Sequence, residues 1–209
     1  MSLQKHLVIM VKVPQIGATK TRLAAGIGPL AAWRFYCHTT EQVIRRLGRH
    51  GLSSKWKIWL AVTPERLASG TRFWPAGVPW IGQGRGDLGR RMESPMLDLP
   101  PGPVVLIGSD VPGIQPVHIA TAFDVLERND VVFGPAEDGG YWLVGLKRRP
   151  FVPGRLRPGL FRCVRWSSEQ ALEDTVAGLD PRYRVARIST LSDVDTVDDL
   201  RRWQQLQKR

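Results

Sequence analysis

Residues 6–13 read HLVIMVKV, a nearly continuous apolar run that is rich in Val and Ile. Such a run is typical of a strand that is buried on both faces, as in the interior of a parallel sheet. The segment PVVLI at residues 103–107 has the same character. We therefore predict that both segments are interior strands of one sheet.

Helix-like and strand-like patterns alternate along the rest of the chain. Helices are expected at residues 29–49, 87–99, 116–128, 167–177 and 196–207, and further strands at residues 57–63, 80–81, 130–134, 141–146 and 183–188. This alternation is typical of an α/β fold in which helices cover both faces of a mostly parallel sheet. The length of 209 residues suits one domain, and no repeat or long linker divides it. The sequence thus predicts a single three-layer α/β domain over residues 1–209.

The composition is that of an ordinary globular protein, with 43% hydrophobic and 23% charged residues. No apolar run approaches the roughly 20 residues that a membrane-spanning helix needs, and the first residues do not resemble a signal peptide. The two cysteines, Cys37 and Cys163, fit neither a metal site nor a disulfide framework. We therefore expect a protein of the reducing cytoplasm.

The formal net charge is +11, from 30 Lys and Arg against 19 Asp and Glu. This balance favours anionic partners, such as nucleotides, phosphorylated metabolites, nucleic acid or anionic lipid. The sequence contains no recognised nucleic-acid-binding module, so nucleic acid is not the expected partner. Residues 147–165 hold seven basic residues and no acidic ones. We expect them to form a flexible surface segment.

The loop after the first strand is a candidate phosphate site. Residues 12–23 read KVPQIGATKTRL, and in an open parallel sheet ligands bind at the carboxyl ends of the strands. A glycine-containing loop can fold its amides around phosphate oxygens, while Lys20 and Arg22 supply charge and donors. The spacing is not that of a P-loop. A solvated basic loop is the alternative, and the position directly after the first strand favours phosphate binding.

Acidic residues follow three other elements. Asp110 ends the segment Gly108-Ser109-Asp110 after the second buried run, where it could hold Mg²⁺ or serve as a turn residue. Glu137 and Asp138 precede Gly139-Gly140, where the backbone could approach a ligand or form an ordinary hairpin turn. Of Asp193 and Asp195, one is expected to cap the last helix, and the other could reach a metal.

The segment Gly84-Arg-Gly86-Asp-Leu-Gly89 matches the dinucleotide-binding pattern G-x-G-x-x-G, with Asp110 about 20 residues beyond it. The preceding strand is very short, however, and the strongest candidate first strand lies far upstream. A dinucleotide site is therefore the third-ranked interpretation.

Taken together, the motifs resemble those of the CofC-like glycosyltransferases, also called radical-SAM/selenodomain-associated transferases. The resemblance extends from about residue 7 to residue 203 and rests on these matches: Lys12-x-Pro14-x-x-Gly17-x-x-Lys20-Thr21-Arg22-Leu23, Gly86-Asp87-Leu88-Gly89, Gly108-Ser109-Asp110-x-Pro112, Gly134-Pro135-Ala136-x-Asp138-Gly139-Gly140-Tyr141, Trp166-Ser167 and Asp193-x-Asp195-Thr196-x-x-Asp199-Leu200. Ser168 stands where the family suggests Thr, and Val111 where Cys is frequent. The resemblance implies a GT-A-type nucleotide-diphospho-sugar transferase fold.

The resemblance also implies roles for individual residues. Nucleotide binding would fall to Lys12, Pro14, Gly17, Lys20, Thr21, Arg22, Gly86, Asp87 and Ser109. Asp110 and Asp195 would hold Mg²⁺ or Mn²⁺, and the acceptor would lie against Asp138, Gly139, Gly140 and Tyr141. The catalytic residues would be Lys20, Arg22, Asp110 and Asp138.

Two reactions suit such a site. The family name favours glycosyl transfer from a nucleotide-diphospho-sugar to a small-molecule acceptor. The alternative is nucleotidyl transfer from a nucleoside triphosphate with release of pyrophosphate, as in 2-phospholactate guanylyltransferase. A non-catalytic protein that binds an anion or a dinucleotide is the third interpretation, and the acids at several element ends count against it.

Overall fold

The computed structural model describes residues 3–48, 55–68, 73–148 and 161–207. Most of the basic segment 147–165 therefore lies outside the described residues. Seven strands are described: β1 His6–Lys12, β2 Lys57–Thr63, β3 Trp80–Gly82, β4 Val104–Gly108, β5 Val131–Pro135, β6 Tyr141–Leu146 and β7 Val185–Arg187. Six α-helices accompany them: α1 Thr21–Ile27, α2 Pro29–Leu47, α3 Leu88–Asp98, α4 Pro116–Val125, α5 Ala171–Ala177 and α6 Val197–Leu206.

The strands form one sheet in the order β3-β2-β1-β4-β6-β5-β7. β6 runs antiparallel to both of its neighbours, and the other described pairs are parallel. β1 lies between β2 and β4, and β4 lies between β1 and β6. The predicted α/β fold with two interior apolar strands is therefore confirmed.

Alternating residues of the central strands face two separate layers of helices. On one face, Leu7 and Ile9 join a core that includes Val43 of α2 and Phe123 of α4. On the other face, Val8 belongs to a second core with side chains of α3 and α5. Successive side chains of a strand point to opposite faces, so a strand that is apolar at every position must be covered on both.

Helix α1 was missed by the sequence analysis, which placed its residues in the loop after the first strand. It has only seven residues, and no side chain caps its first turn. The usual start signal of a helix, a capping Ser, Thr, Asp or Asn, is therefore absent before Thr21. The predicted helix at residues 167–177 is likewise shorter, because α5 begins only at Ala171.

Within the described ranges, no helix combines the length and the apolar character needed to cross a membrane. Cys37 and Cys163 are both free thiols.

Candidate functional site

The site lies where the order of the strands reverses. From β1 the chain moves outward to β2 and β3, and then returns to β4 on the other side of β1. In open α/β sheets, such a switch point opens a crevice at the carboxyl ends of the strands. A cleft of about 490 Å³ occupies this position, and residues from the loops after β1 and β4 line it.

Lys20 is the central charge of the cleft. Its ammonium nitrogen lies 2.6 Å from Asp195 Oδ1 and 3.2 Å from Asp110 Oδ1, and its side chain is only 4% exposed. Burial by itself would lower the pKa of Lys20, but the Asp110 and Asp195 carboxylates outweigh it and the pKa is raised. Lys20 is therefore a buried cation held between two carboxylates.

The backbone of Lys20 adopts a conformation that is uncommon for a residue with a side chain. Its φ of 52° and ψ of 49° lie in the left-handed region, immediately before α1. Non-glycine residues in this region are strained and are found often at ligand sites. Here the conformation starts α1 at Thr21 and coincides with the inward position of the ammonium group.

Main-chain contacts bring Asp110 and Asp195 together although some 85 positions separate them in sequence. The amide of Leu191 donates to the carbonyl of Pro135, so the segment before α6 follows the end of β5. The amide of Val194 then donates to the carbonyl of Asp110 at 3.2 Å. Both carboxylates consequently face one cleft, beside the loop that carries Lys20.

The expectation that Asp193 or Asp195 caps the last helix is wrong. Thr196 is the N-cap of α6, and its hydroxyl accepts a hydrogen bond from the Asp199 amide. The Asp199 carboxylate accepts in return from the amides of Asp195 and Thr196, at 3.1 and 2.7 Å. This capping box gives hydrogen-bond partners to amides at the start of α6. The carboxylates of Asp193 and Asp195 are therefore not needed as caps and can face the cleft.

Asp193 adds a third acidic group to the same wall. Burial is the main cause of its raised pKa, of about 6, and the neighbouring Asp195 and Asp138 carboxylates add to it. Asp138 also lines the cleft, and its Oδ1 accepts a hydrogen bond from the Gly140 amide at 2.9 Å. The Asp138 carboxylate therefore stabilises the turn and also lines the cleft.

Ten of the fifteen residues to which the resemblance gives a role line the cleft: Lys12, Lys20, Thr21, Arg22, Ser109, Asp110, Asp138, Gly140, Tyr141 and Asp195. Outside its described lining are Pro14, Gly17, Gly86, Asp87 and Gly139. The Asp87 carboxylate caps α3 by accepting from the Arg90 amide at 2.9 Å. The glycine pattern around it follows β3, an edge strand of three residues, rather than a central strand.

Several lining residues were not selected from the sequence. The Tyr36 hydroxyl accepts from the Lys12 amide and donates to the Lys12 carbonyl, which fixes the end of β1. Burial is the main cause of its raised pKa, of about 12. Arg91 of α3 also lines the cleft, and so does the segment Trp166–Ser168, which was part of the resemblance but received no role there. The spacing of Leu88, Arg91 and Met92, which places them on one face of α3, was the available signal.

The side chains of the cleft that could bind a metal ion are the carboxylates of Asp110, Asp138, Asp193 and Asp195. In the part of the chain that the structure describes, no three His, Cys, Asp or Glu side chains are grouped as a ready metal site. Asp110 and Asp195 could supply two oxygens to a divalent cation, and Mg²⁺ commonly takes its remaining ligands from water and phosphate.

Several solved structures resemble the chain over nearly its whole length. One is described as a candidate nucleotide-diphospho-sugar transferase from Desulfovibrio desulfuricans G20, with a TM-score of 0.84, 27% identity, and coverage of 100% of this chain and 89% of that one. Rv0371c of Mycobacterium tuberculosis H37Rv, in complex with manganese, has a TM-score of 0.56 at 16% identity, with coverage of 97% and 99%. The inositol-1-phosphate CTP transferase of T. maritima has a TM-score of 0.63 at 12% identity, with coverage of 98% and 96%.

These structures agree with the GT-A-type fold that the sequence motifs implied. A comparison with curated proteins gave no match. Residues 47–168, more than half of the chain, match the family DUF2064, described as uncharacterised proteins conserved in bacteria. The chain therefore belongs to the DUF2064 family.

Proposed function

We propose that this protein is a divalent-cation-dependent transferase whose donor is a nucleotide-diphospho-sugar bound through its phosphates. The observation that carries the proposal is the buried ammonium of Lys20 between Asp110 and Asp195, with the Arg22 guanidinium 3.1 Å from Asp195. The two cationic side chains can bind phosphate oxygens, and the two carboxylates can bind a divalent cation that those phosphate oxygens also coordinate.

The residues present fit such a cation. Asp110 Oδ1 is buried, and the charge that compensates it is the Lys20 ammonium 3.2 Å away. A buried carboxylate oxygen without a hydrogen bond is costly unless a charge compensates it. Asp110 and Asp195 are thus the residues that would hold the cation. When bound there, a divalent cation neutralises charge on the phosphate oxygens of the leaving group.

Side chains of the protein would bind the phosphates and take up the acceptor's proton. Lys20 would leave the carboxylates and donate to the phosphates, and Arg22 would add planar, paired donors at the mouth of the cleft. Transfer breaks the bond between the sugar carbon and a phosphate oxygen and forms a bond to an acceptor oxygen. A base near the acceptor must take the proton from its attacking oxygen, and Asp138, which lines the cleft, is the candidate.

The Desulfovibrio desulfuricans structure supports the choice of donor, because its description names a nucleotide-diphospho-sugar transferase. The manganese complex of the Mycobacterium tuberculosis protein supports a divalent cation. Nucleotidyl transfer is the second candidate. It is favoured by the position of Lys20 and Arg22 at the start of α1, since two adjacent cations suit a triphosphate.

The first experiment is a thermal-shift screen of nucleotide-sugars and nucleoside triphosphates, each with and without Mg²⁺ or Mn²⁺. A donor at 100 times its Kd should stabilise the protein by about 2.7 kcal/mol. For a chain of this size that corresponds to roughly 5–11 °C. The donor that binds is then incubated with candidate acceptors. Release of a nucleoside diphosphate indicates glycosyl transfer, and release of pyrophosphate indicates nucleotidyl transfer.

The Asp110→Asn variant tests the cation site. The amide keeps the shape of the side chain and removes its charge, so the cation-dependent part of the shift and of the turnover should disappear while the fold persists. Asp124→Asn, on the exposed side of α4, is the matched control. Failure of every nucleotide to shift the wild-type protein, or an undiminished cation effect in Asp110→Asn, would contradict the proposal.

A further inference from the structure

Arg91 is a cation of the cleft that no carboxylate neutralises among the described residues. It lies on α3, and its half-buried side chain lines the cleft. Its Nε atom is buried and has no hydrogen-bond partner. Buried guanidinium groups are normally paired, because an unpaired donor loses its bonds to water without replacement. Arg91 thus brings to the cleft a guanidinium whose charge is not balanced by an ion pair among the described residues.

The wall around Arg91 is apolar and partly aromatic. Leu88 and Met92 share its helix face and also line the cleft, as do Tyr141 and Trp166. Gly89 allows α3 to approach this aromatic wall, since a Cβ atom at this position would lie 2.7 Å from Phe161 Cβ and 3.0 Å from Trp166 Cζ2. A charged group with one unpaired donor therefore lines the same cleft as these aromatic side chains.

The aromatic wall continues into the turn that holds Asp138. A Cβ atom on Gly139, whose φ is 83°, would lie 2.1 Å from the carbonyl oxygen of Glu169. The Leu172 amide donates to the Gly139 carbonyl at 3.1 Å. The turn and the segment that follows Trp166 are consequently packed against each other.

Ser167, which also lines the cleft, has a strained backbone conformation. Its φ is 60°, in the left-handed region that residues with a side chain rarely adopt. Backbone strain of this kind persists only where surrounding contacts enforce it, and it occurs often in ligand clamps.

We propose that Arg91 binds an anionic group of the acceptor, a carboxylate or a phosphate, while Tyr141 and Trp166 contact its apolar body. This inference rests on the proposed function, in which Lys20 and Arg22 bind the donor. Those two cations lie at the start of α1 and are engaged by Asp195, whereas Arg91 has no ion-pair partner among the residues that the structure describes. The guanidinium can bind either anion through two parallel hydrogen bonds.

The test uses isothermal titration with benzoate, phenyl phosphate and benzamide. Benzamide has nearly the shape of benzoate without its charge. Wild-type protein should bind one of the two anions at least tenfold more tightly than benzamide. Arg91→Gln should remove this preference, and Arg91→Lys should retain part of it, because the ammonium keeps the charge but loses the planar donors. Arg90→Gln, an exposed neighbour on the same helix, is the control.

The outcomes separate this inference from the proposed function. Equal binding of benzamide and both anions, or an unchanged preference in a folded Arg91→Gln variant, overturns the anion site. Loss of nucleotide binding in Arg91→Gln also overturns it, because Arg91 would then belong to the donor site. If the anion preference depends on Arg91 but no nucleotide binds any variant, the anion site is supported and the assignment of the donor fails.

Discussion

Lys20→Met tests whether the ammonium group holds the two acidic walls of the cleft together. Methionine retains much of the length of the lysine side chain and removes only its charge and donors. In the variant, Asp110 and Asp195 would face each other without the cation that now lies within 3.2 Å of both. Their mutual repulsion should then oppose folding.

The size of the effect follows from how exposed each partner is. Removing one partner of a fully buried ion pair costs about 3–5 kcal/mol. The side chains of Asp110 and Asp195 are 45% and 28% exposed, and Arg22 remains beside Asp195. Solvent screening therefore reduces the expected loss to about 2 kcal/mol. This corresponds to a decrease of roughly 4–8 °C in the unfolding temperature.

The assay is thermal unfolding of wild-type and variant protein, with and without Mn²⁺. The cation should stabilise Lys20→Met more than wild type, because no ammonium group competes for the two carboxylates. Nucleotide-dependent stabilisation should decrease in the same variant, since a donor to the phosphates is lost. Lys55→Met, at an exposed position, controls for the change of residue type.

An unfolding temperature equal to that of wild type would show that the ammonium contributes nothing to the stability of the cleft. A Mn²⁺ shift no larger than in wild type would show that the carboxylates do not form a shared cation site. Either result would refute the reasoning, whatever the effect on turnover.

Arg22→Lys should weaken nucleotide-dependent thermal stabilisation several-fold, because an ammonium cannot bind phosphate through a planar pair of donors. Thr196→Ala should lower the free energy of unfolding by about 1 kcal/mol in urea titration, since α6 loses its cap, whereas the exposed Thr121→Ala should not. His6 is buried and accepts a hydrogen bond from Trp59, and burial lowers the pKa of its imidazole below 6.5. The unfolded state therefore binds the proton more readily, so stability should be full above pH 6.5 and fall as pH decreases below it, and His6→Leu should flatten this dependence.

The strands were predictable because their burial leaves a direct trace in the sequence. Residues covered on both faces must be apolar at every position, as the segment Leu7–Val11 is. Helix α1 leaves no such trace. It has a single fully buried residue, Leu23, and the residue before it is a strained lysine rather than a capping side chain.

The site was predictable to the extent that it lies at strand ends. Lys20 and Asp110 follow β1 and β4, and neighbouring parallel strands deliver their loops to the same edge of the sheet. Arg91 was not predictable in this way. A charged residue on an amphipathic helix is usually solvated, and the close approach of α3 to Phe161 and Trp166 at Gly89 depends on tertiary packing.

The last helix shows why the sequence left the role of Asp195 open. An acid before a helix is usually a cap, and this local explanation accounts for the residue without any site. The structure assigns that task to Thr196 and Asp199, which form a complete capping box. Asp195 then directs both of its oxygens to cations, one to Lys20 and one to Arg22. Because phosphate and carboxylate compete for the same two cations, a donor that engages Lys20 and Arg22 must release Asp195. A released pair of carboxylates attracts a divalent cation more strongly, so donor and cation should each raise the affinity of the other by the same factor.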